Sequence, residues 1–441
     1  MGLFNLRYSL KYDSNPTICC AITMDLQYSQ SHSSQPPPNY SPPPPPPCYS
    51  QNPADDEARI DISPRSHGRR HLLPSGVFVK ACGSTTVILS GQEPAIRVPV
   101  YRQHGSIRGS LIVEEDASQI REVVAKLQGR LEVTTTYAGV QIIKVVNDTY
   151  RLWSSSSSTS PFPGTIDIVC DFPTTFQYQG RDFPLPPSYI AGFPGFPALF
   201  AKCSYSLNIS IIKHKRLGLL SKTKLIYIPV EYSPQTVPTR GLPPIVHFLS
   251  SVKVIPEEWQ QTSFQMNTRT PGLSPIQCEA FIPSVKVFGL SDTIPLHLQL
   301  SGPLSSLREL ISPCHVESDL VHSPVRVYLA RKVTFEHHTT SAWRIQRIGE
   351  GHFPPLPVAI SKCTCQPSCD SCNLCMDTLG WDGEVKCDAG ITVGGFHAAG
   401  LTVMDFITLE ITPPKPGLSP LRPVRHAFPI RFVTETFVEP T

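Results

Sequence analysis

Charged residues are scarce in this chain: they make up 17% of its 441 residues, and the formal net charge is only +3. Domains that bind nucleic acid usually carry a clear basic excess, so we expect no nucleic-acid partner. Long apolar runs are also lacking, since no stretch approaches the roughly 18 apolar residues that a membrane-spanning helix needs. The first ten residues contain no apolar signal-peptide core. These features predict an intracellular protein without a membrane span.

Catalytic motifs are missing as well. The sequence has no phosphate-binding glycine loop, no GxSxG elbow and no HExxH helix. His337 and His338 are adjacent, so in a strand they would face opposite sides and could not hold one metal ion together. We therefore predict a protein that is not an enzyme and needs no cofactor.

Proline, in contrast, is abundant: the chain has 47, about double the ordinary usage. Proline inside a helix costs about 3 kcal/mol, so this density excludes a mainly helical protein. Residues 1–74 show no sustained periodicity and consist largely of Ser, Gln, Pro and scattered charge. Their composition predicts a disordered N-terminal tail.

After Pro74 the chain shows short runs in which apolar and polar residues alternate, the pattern of half-buried strands. Between Val123 and Val133 the odd positions are apolar or glycine and the even ones mostly polar. The same alternation marks 205–211, 294–300 and 325–335. Further strands are predicted at 76–90, 96–101, 107–114, 140–146, 165–170, 225–232, 401–411 and 428–437, with short helical pieces at 118–124 or 305–311.

Strands of this length without long intervening helices predict antiparallel β-sandwiches rather than a parallel sheet. The length accommodates two sandwiches. A Pro/Gly/Thr-rich stretch without periodicity, Tyr232 to Pro244, is the expected break between them. We accordingly predict one sandwich over 75–235 and a second over 236–441.

Two segments carry a resemblance to a known family. The first is Gly105 to Val133, which contains GSIRGSLIVEED and ends in an L-x-G element, and the second is Phe183 to Lys215, in which FPLPPSY leads to a Y-x-L-x-I-x-I strand. Both are similar to the arrestin family, in particular the alpha-arrestins, or arrestin-related trafficking adaptors. The resemblance implies an all-β fold of two tandem immunoglobulin-like antiparallel sandwiches without a catalytic centre.

The resemblance also implies a function. Alpha-arrestins are cytoplasmic adaptors that bind the cytoplasmic parts of membrane transporters or receptors at the plasma membrane or endosomes. They recruit a HECT-type ubiquitin ligase through PPxY motifs, and the cargo is then ubiquitinated and endocytosed.

The predicted tail contains two such motifs, which we call the tail motifs: 37–40 (PPNY) and 46–49 (PPCY). A WW domain clamps two consecutive prolines between aromatic rings, and the polyproline II twist brings the tyrosine two residues later into a second pocket. Two copies on a short linker increase the effective concentration for a ligase with several WW domains. The predicted WW-binding residues are Pro37, Pro38, Tyr40, Pro46, Pro47 and Tyr49.

A third match, Pro186 to Tyr189, lies inside the L-P-P-S element, where we expect the tyrosine to pack on the sandwich. The alternative for the tail is a solvated proline linker, or a ligand for other domains such as SH3 in an arrestin-fold scaffold or sorting protein without a ubiquitin role.

Cysteines cluster in the second half, within an insertion at 363–387. Thiolates two residues apart can chelate Zn²⁺, but the usual pattern separates two CxxC knuckles by a dozen or more residues, whereas here they overlap. A cysteine-rich loop without metal and a structural zinc module are both open. The candidate ligands are Cys363, Cys365, Cys369, Cys372, Cys375 and Cys387.

Two further features have open interpretations. A basic cluster follows the Y-x-L-x-I-x-I strand and could contact anionic lipid headgroups, giving peripheral membrane association, or phosphorylated cargo tails. It could also supply lysines for ubiquitination of the adaptor itself, or could simply be solvated. Cys170 and Cys203, near predicted strands, are expected to be small buried apolar residues. The basic cluster consists of Lys213, His214, Lys215, Arg216, Lys222 and Lys224.

Overall fold

A computed structural model describes residues 75–114, 117–156, 161–214, 221–243, 248–311, 323–353 and 376–438, and these are mostly β-strand. The predicted all-β class is confirmed: among the described residues there are 22 strands and only two short α-helices. The predicted tail and both tail motifs lie outside the described residues.

Twelve strands precede residue 233. They are β1 (Gly76–Cys82), β2 (Thr85–Gln92), β3 (Val100–Tyr101), β4 (Ser106–Val113), β5 (Ile120–Thr135), β6 (Gly139–Ser154), β7 (Thr165–Asp171), β8 (Thr175–Tyr178), β9 (Arg181–Pro184), β10 (Tyr189–Phe193), β11 (Leu199–His214) and β12 (Ser221–Tyr232).

Two sheets pack together in this first half. One has the order β1-β2-β4-β7, and the other has the order β3-β12-β11-β5-β6 with β10 added to β11. All neighbours are antiparallel except β3 and β12. The predicted register of β5 is confirmed, since residues such as Val123, Leu127 and Leu131 are fully buried. β8 and β9 form a separate hairpin.

The second half contains α1 (Phe248–Val254), α2 (Leu304–Ile311) and ten strands. The strands are β13 (Trp259–Met266), β14 (Ile276–Pro283), β15 (Val287–Gly289), β16 (Thr293–Pro303), β17 (Val325–His337), β18 (Thr340–His352), β19 (Met376–Cys387), β20 (Phe396–Ala398), β21 (Leu401–Ile411) and β22 (Val424–Val433).

These ten strands form one continuous sheet rather than two separate ones, in the order β13-β14-β16-β19-β18-β17-β21-β22-β15, with β20 added to β21. The sheet curls so that both of its ends line a single apolar core. The two parts of the sheet are connected over a short stretch, because β18 pairs with β19 only over 349–352. Gly349 and Gly351 permit it: a Cβ on Gly349 would lie 2.2 Å from the carbonyl oxygen of Lys386. At the edge opposite β13, β15 pairs with β22 in parallel.

The two halves share apolar packing. The first core, built mainly from strands β2 to β12, also takes in residues of β17, β20 and β21, among them Val333, Phe335, Leu401 and Val403. The last strand of the first half ends at Tyr232 and the first strand of the ten-stranded sheet begins at Trp259. The boundary at 235/236 remains a prediction.

Some local predictions differ from the structure. The helix over 305–311 is confirmed as α2, but the helical piece at 118–124 is wrong, because β5 begins at Ile120 after a single 3-10 turn. The segment 76–90 is a hairpin of β1 and β2 rather than one strand. Its turn contains Gly83 with φ of 59°, a conformation that glycine adopts without steric cost.

Candidate functional site

The two segments that carry the family resemblance lie side by side in the six-stranded sheet. β5 and β11 pair in register, with Leu127 opposite Leu207 and Gly129 opposite Tyr205. A Cβ on Gly129 would lie 2.6 Å from the Tyr205 ring, so the glycine of the L-x-G element makes room for the tyrosine of the Y-x-L-x-I-x-I strand. The Tyr205 hydroxyl then donates to the carbonyl oxygen of Pro186, 2.5 Å away. We call Gly129, Pro186, Tyr189 and Tyr205 the motif junction.

The third PPxY match forms part of this junction and is not accessible to a WW domain. Pro186 and Pro187 are buried, and Tyr189 is 9% exposed with its ring edge-on to Phe396 at 5.2 Å. Ser188 is tied to Tyr232 through two hydrogen bonds, at 2.8 and 2.9 Å. The expectation that Tyr189 packs on the sandwich is confirmed.

A buried ion pair lies beside Tyr189, where the two halves meet. The Arg331 Nε and Nη2 atoms donate to the two carboxylate oxygens of Asp405, at 2.7 and 3.1 Å, and Nη2 also donates to the carbonyl oxygen of Val393 at 2.8 Å. Both side chains are almost fully buried. We call Arg331 and Asp405 the interface pair.

Tyr189 contributes a second polar group to this region. Its buried hydroxyl has no hydrogen-bond partner among the described residues. Burial raises the pKa of Tyr189 to about 12, and the charges of Arg331 and Asp405 act on it in opposite directions. The directed hydrogen bonds of the enclosed Arg331–Asp405 pair therefore hold this part of the interface in addition to apolar packing.

Sequence reasoning missed the interface pair, although a signal was present. The odd-numbered positions of β17 face inward, and position 331 is one of them. The other inward residues there are apolar: Val325, Val327, Leu329, Val333 and Phe335. In the same way Asp405 falls on the apolar face of β21. A charged residue on the inward face of each of two neighbouring strands, of opposite sign and in register, predicts a buried pair.

The histidine prediction needs a correction. β17 ends at His337, and His338 lies in the following turn with φ of 51°, so strand alternation no longer separates the two side chains. Both line a cleft of about 380 Å³ together with His397 and Arg181. Even so, no group of three or more His, Cys, Asp or Glu side chains suited to a metal ion occurs among the described residues.

Of the six candidate zinc ligands, only Cys387 belongs to the described part of the chain. It ends β19 in the second core, and its thiol donates to the carbonyl oxygen of Ile348 at 3.4 Å. Burial raises the pKa of Cys387 to about 11, which disfavours the thiolate that zinc requires. Cys170 and Cys203 are buried as expected, and burial raises the pKa of each to about 12.

The basic cluster is only partly described, since 215–220 lie outside the described ranges. Lys222 is exposed, whereas the Lys224 ammonium donates to the Thr85 hydroxyl at 2.8 Å and so links β12 to β2. Lys224 therefore has a structural contact in addition to its charge.

No protein-family model matches the chain, and no curated protein matches it. Among the solved structures that it resembles is squid arrestin, which is 7% identical; the match covers 83% of this chain and 100% of that one, with a TM-score of 0.37. A likeness of this size carries no argument about function. Neither helix in the described ranges is long and apolar enough to cross a membrane.

Proposed function

We propose that the protein is a non-enzymatic adaptor that links a WW-domain HECT-type ubiquitin ligase to plasma-membrane cargo and promotes ubiquitination and endocytosis of that cargo. The observation that carries the proposal is the pair of tail motifs, 37–40 and 46–49, within a tract of nine prolines between Pro36 and Pro47. A polyproline II segment has little backbone entropy left to lose on binding, which favours it as a ligand.

The structure of the third PPxY match supports the choice of the tail motifs. A WW domain must surround both prolines and the tyrosine, and in 186–189 these side chains are buried against the first sandwich. Releasing them would break the hydrogen bond between Tyr205 and Pro186 and expose part of the first core. Recruitment therefore depends on the tail motifs.

The β-sandwiches are the proposed cargo-binding part, in keeping with the sequence resemblance to alpha-arrestins. Their role would be to bind cytoplasmic regions of transporters or receptors, so we place the protein in the cytoplasm with recruitment to the plasma membrane or endosomes. The recruited ligase would ubiquitinate the cargo that the sandwiches bind. No chemistry by this chain is required.

A pull-down of the full chain with isolated WW domains tests the proposal. The double variant Tyr40→Ala/Tyr49→Ala should lose WW binding, because it removes the tyrosine from both tail motifs while leaving the prolines in place. The matched control, Tyr12→Ala/Tyr28→Ala, removes two tyrosines from the same segment that are not preceded by a proline pair. It should bind like the wild type.

The same experiment separates the alternative, a scaffold whose proline tract binds SH3 domains. The uninterrupted prolines at 42–47 favour it as the second candidate, since SH3 domains recognise polyproline II segments without needing the tyrosine. Retained WW binding by the double variant would refute the assignment of the tail motifs. Absent WW binding together with tyrosine-independent SH3 binding would establish the scaffold.

A further inference from the structure

Two aromatic side chains project from neighbouring turns at one end of the six-stranded sheet. Phe196, between β10 and β11, is 79% exposed, and Tyr137, between β5 and β6, is 58% exposed. Their ring centroids are 5.9 Å apart in an edge-to-face arrangement. We call this pair the aromatic tip. Two large rings exposed to water lack the stabilisation that burial would give them. Such a pair is typical of a surface that binds an apolar partner.

Hydrogen bonds hold the aromatic tip in place. The Thr136 hydroxyl accepts from the backbone N–H of Ala198 at 2.7 Å, and the Thr136 N–H donates to the Ala198 carbonyl oxygen at 3.3 Å, which joins the two turns. From the second half of the chain, Arg344 donates to the carbonyl oxygen of Pro197. The rings are therefore presented by an ordered double turn that loses little conformational entropy on binding.

Behind the tip, the outward face of the sheet changes from apolar to basic in regular steps. Val140 and Ile142, on β6, are 57% and 59% exposed. The next outward position on β6 is Lys144, which pairs directly with Arg130 on β5. Two cations opposite each other repel, and in the described part of the chain neither has an ion-pair partner.

Strand geometry spaces these side chains evenly, and the apolar end of the row is the end that carries the aromatic tip. A strand advances about 3.4 Å per residue, so Ile142 lies about 7 Å behind Val140, and Lys144 about 7 Å further. Interfacial protein segments bury their apolar face about 5–10 Å into the boundary between headgroups and acyl chains. Because Val140 lies about 14 Å from Lys144 along the strand, the face would enter at a tilt, with the aromatic tip deepest. In the row of Ile142 one more cation, Lys202, lies opposite the carboxylate of Glu132. The four charged residues of these rows thus give three cations against one anion.

We propose that this face is a membrane-docking surface, in which the aromatic tip and the two aliphatic side chains enter the interface of a bilayer while Lys144 and Arg130 contact anionic headgroups. Aromatic rings are favoured at the level of the headgroups, and each basic residue near an anionic surface adds attraction. The docking would hold the chain beside membrane-embedded cargo. In that respect it rests on the proposed function, although its chemistry is independent of the tail motifs.

Flotation of the full chain with vesicles tests the surface. We expect binding to vesicles of phosphatidylcholine with about 30% phosphatidylserine and much weaker binding to phosphatidylcholine alone, because each cation contributes about fivefold to partitioning onto an anionic membrane. Tyr137→Ser/Phe196→Ser should lower the bound fraction about tenfold or more, since binding strength scales with buried apolar area. The matched control is Leu418→Ser, which removes an apolar side chain that is 85% exposed in the second half.

Two double variants that remove positive charge test the role of Arg130 and Lys144. Arg130→Gln/Lys144→Gln should abolish most of the phosphatidylserine dependence, whereas Lys253→Gln/Lys415→Gln, which removes two exposed lysines in the second half, should leave it unchanged. All substituted side chains are exposed, so unchanged circular dichroism melting curves should accompany every variant.

Three outcomes would overturn the inference. These are no vesicle binding by the wild type, equal binding by Tyr137→Ser/Phe196→Ser and wild type, or a self-associated wild type that this double variant converts to monomer in gel filtration. The last result would assign the surface to a second copy of the chain. Because WW binding is measured separately, failure of the lipid test leaves the ligase proposal intact, and failure of the WW test leaves this surface intact.

Discussion

Removing the carboxylate of the interface pair should strongly destabilise the protein. In Asp405→Ala the Arg331 guanidinium loses its hydrogen bonds at 2.7 and 3.1 Å and retains only the carbonyl oxygen of Val393. The Arg331 side chain is 2% exposed, so water cannot take over the lost contacts without opening the interface. Breaking a buried pair from one side costs about 3–5 kcal/mol, and we expect the free energy of unfolding to fall by that amount.

Replacing both members should behave differently, which makes the prediction specific. Arg331→Met/Asp405→Leu removes two charges that are expensive to desolvate, and such replacements are often neutral or stabilising by about 1–4 kcal/mol. Urea unfolding of the wild type, Asp405→Ala and the double variant, followed by circular dichroism, gives the three free energies. A loss below about 1 kcal/mol in Asp405→Ala would refute the reasoning, as would a double variant no more stable than the single one.

Three further predictions concern the motif junction, a buried histidine and the cysteine-rich insertion. Gly129→Ala should destabilise the protein by about 1–3 kcal/mol in urea, because its methyl group overlaps the Tyr205 ring; an unchanged midpoint would contradict the packing argument. Burial lowers the pKa of His297, so the folded state binds fewer protons than the unfolded one, and stability should fall as pH drops below about 6.5. His297→Phe should flatten that dependence, and an equally steep variant would contradict it. Cys387→Ser should leave the zinc content of the purified protein unchanged, and a loss of bound zinc would show that this thiol is a ligand.

Much of the fold could be predicted because the strands follow strict alternation. β5 and β11 have one apolar and one polar face, and their inward residues are buried as the period of two requires. The missed strands, such as β18 and β19, have exposed residues on both faces or carry glycines in place of apolar residues. Their role in joining the two ends of the ten-stranded sheet depends on pairing between distant segments, which no local pattern contains.

Sequence patterns predicted the environment of Tyr189 but neither the interface pair nor the aromatic tip. The buried state of Tyr189 followed from its place in the L-P-P-S element. The interface pair was visible as two charges at inward positions, but its pairing required the register of β17 against β21. The aromatic tip had no sequence signal, since Tyr137 and Phe196 are 59 positions apart and meet only because two turns are hydrogen-bonded. Contacts between turns depend on sheet order, which composition and periodicity leave open.

Recruitment through the tail motifs can be measured by titrating a protein with tandem WW domains against the full chain and determining the dissociation constant. We expect Tyr40→Ala or Tyr49→Ala alone to weaken binding by about 10²-fold or more, because the avidity of two linked sites is lost. The double variant should show no specific binding. An unchanged dissociation constant for Tyr40→Ala/Tyr49→Ala would show that the tail motifs are not the WW-binding sites.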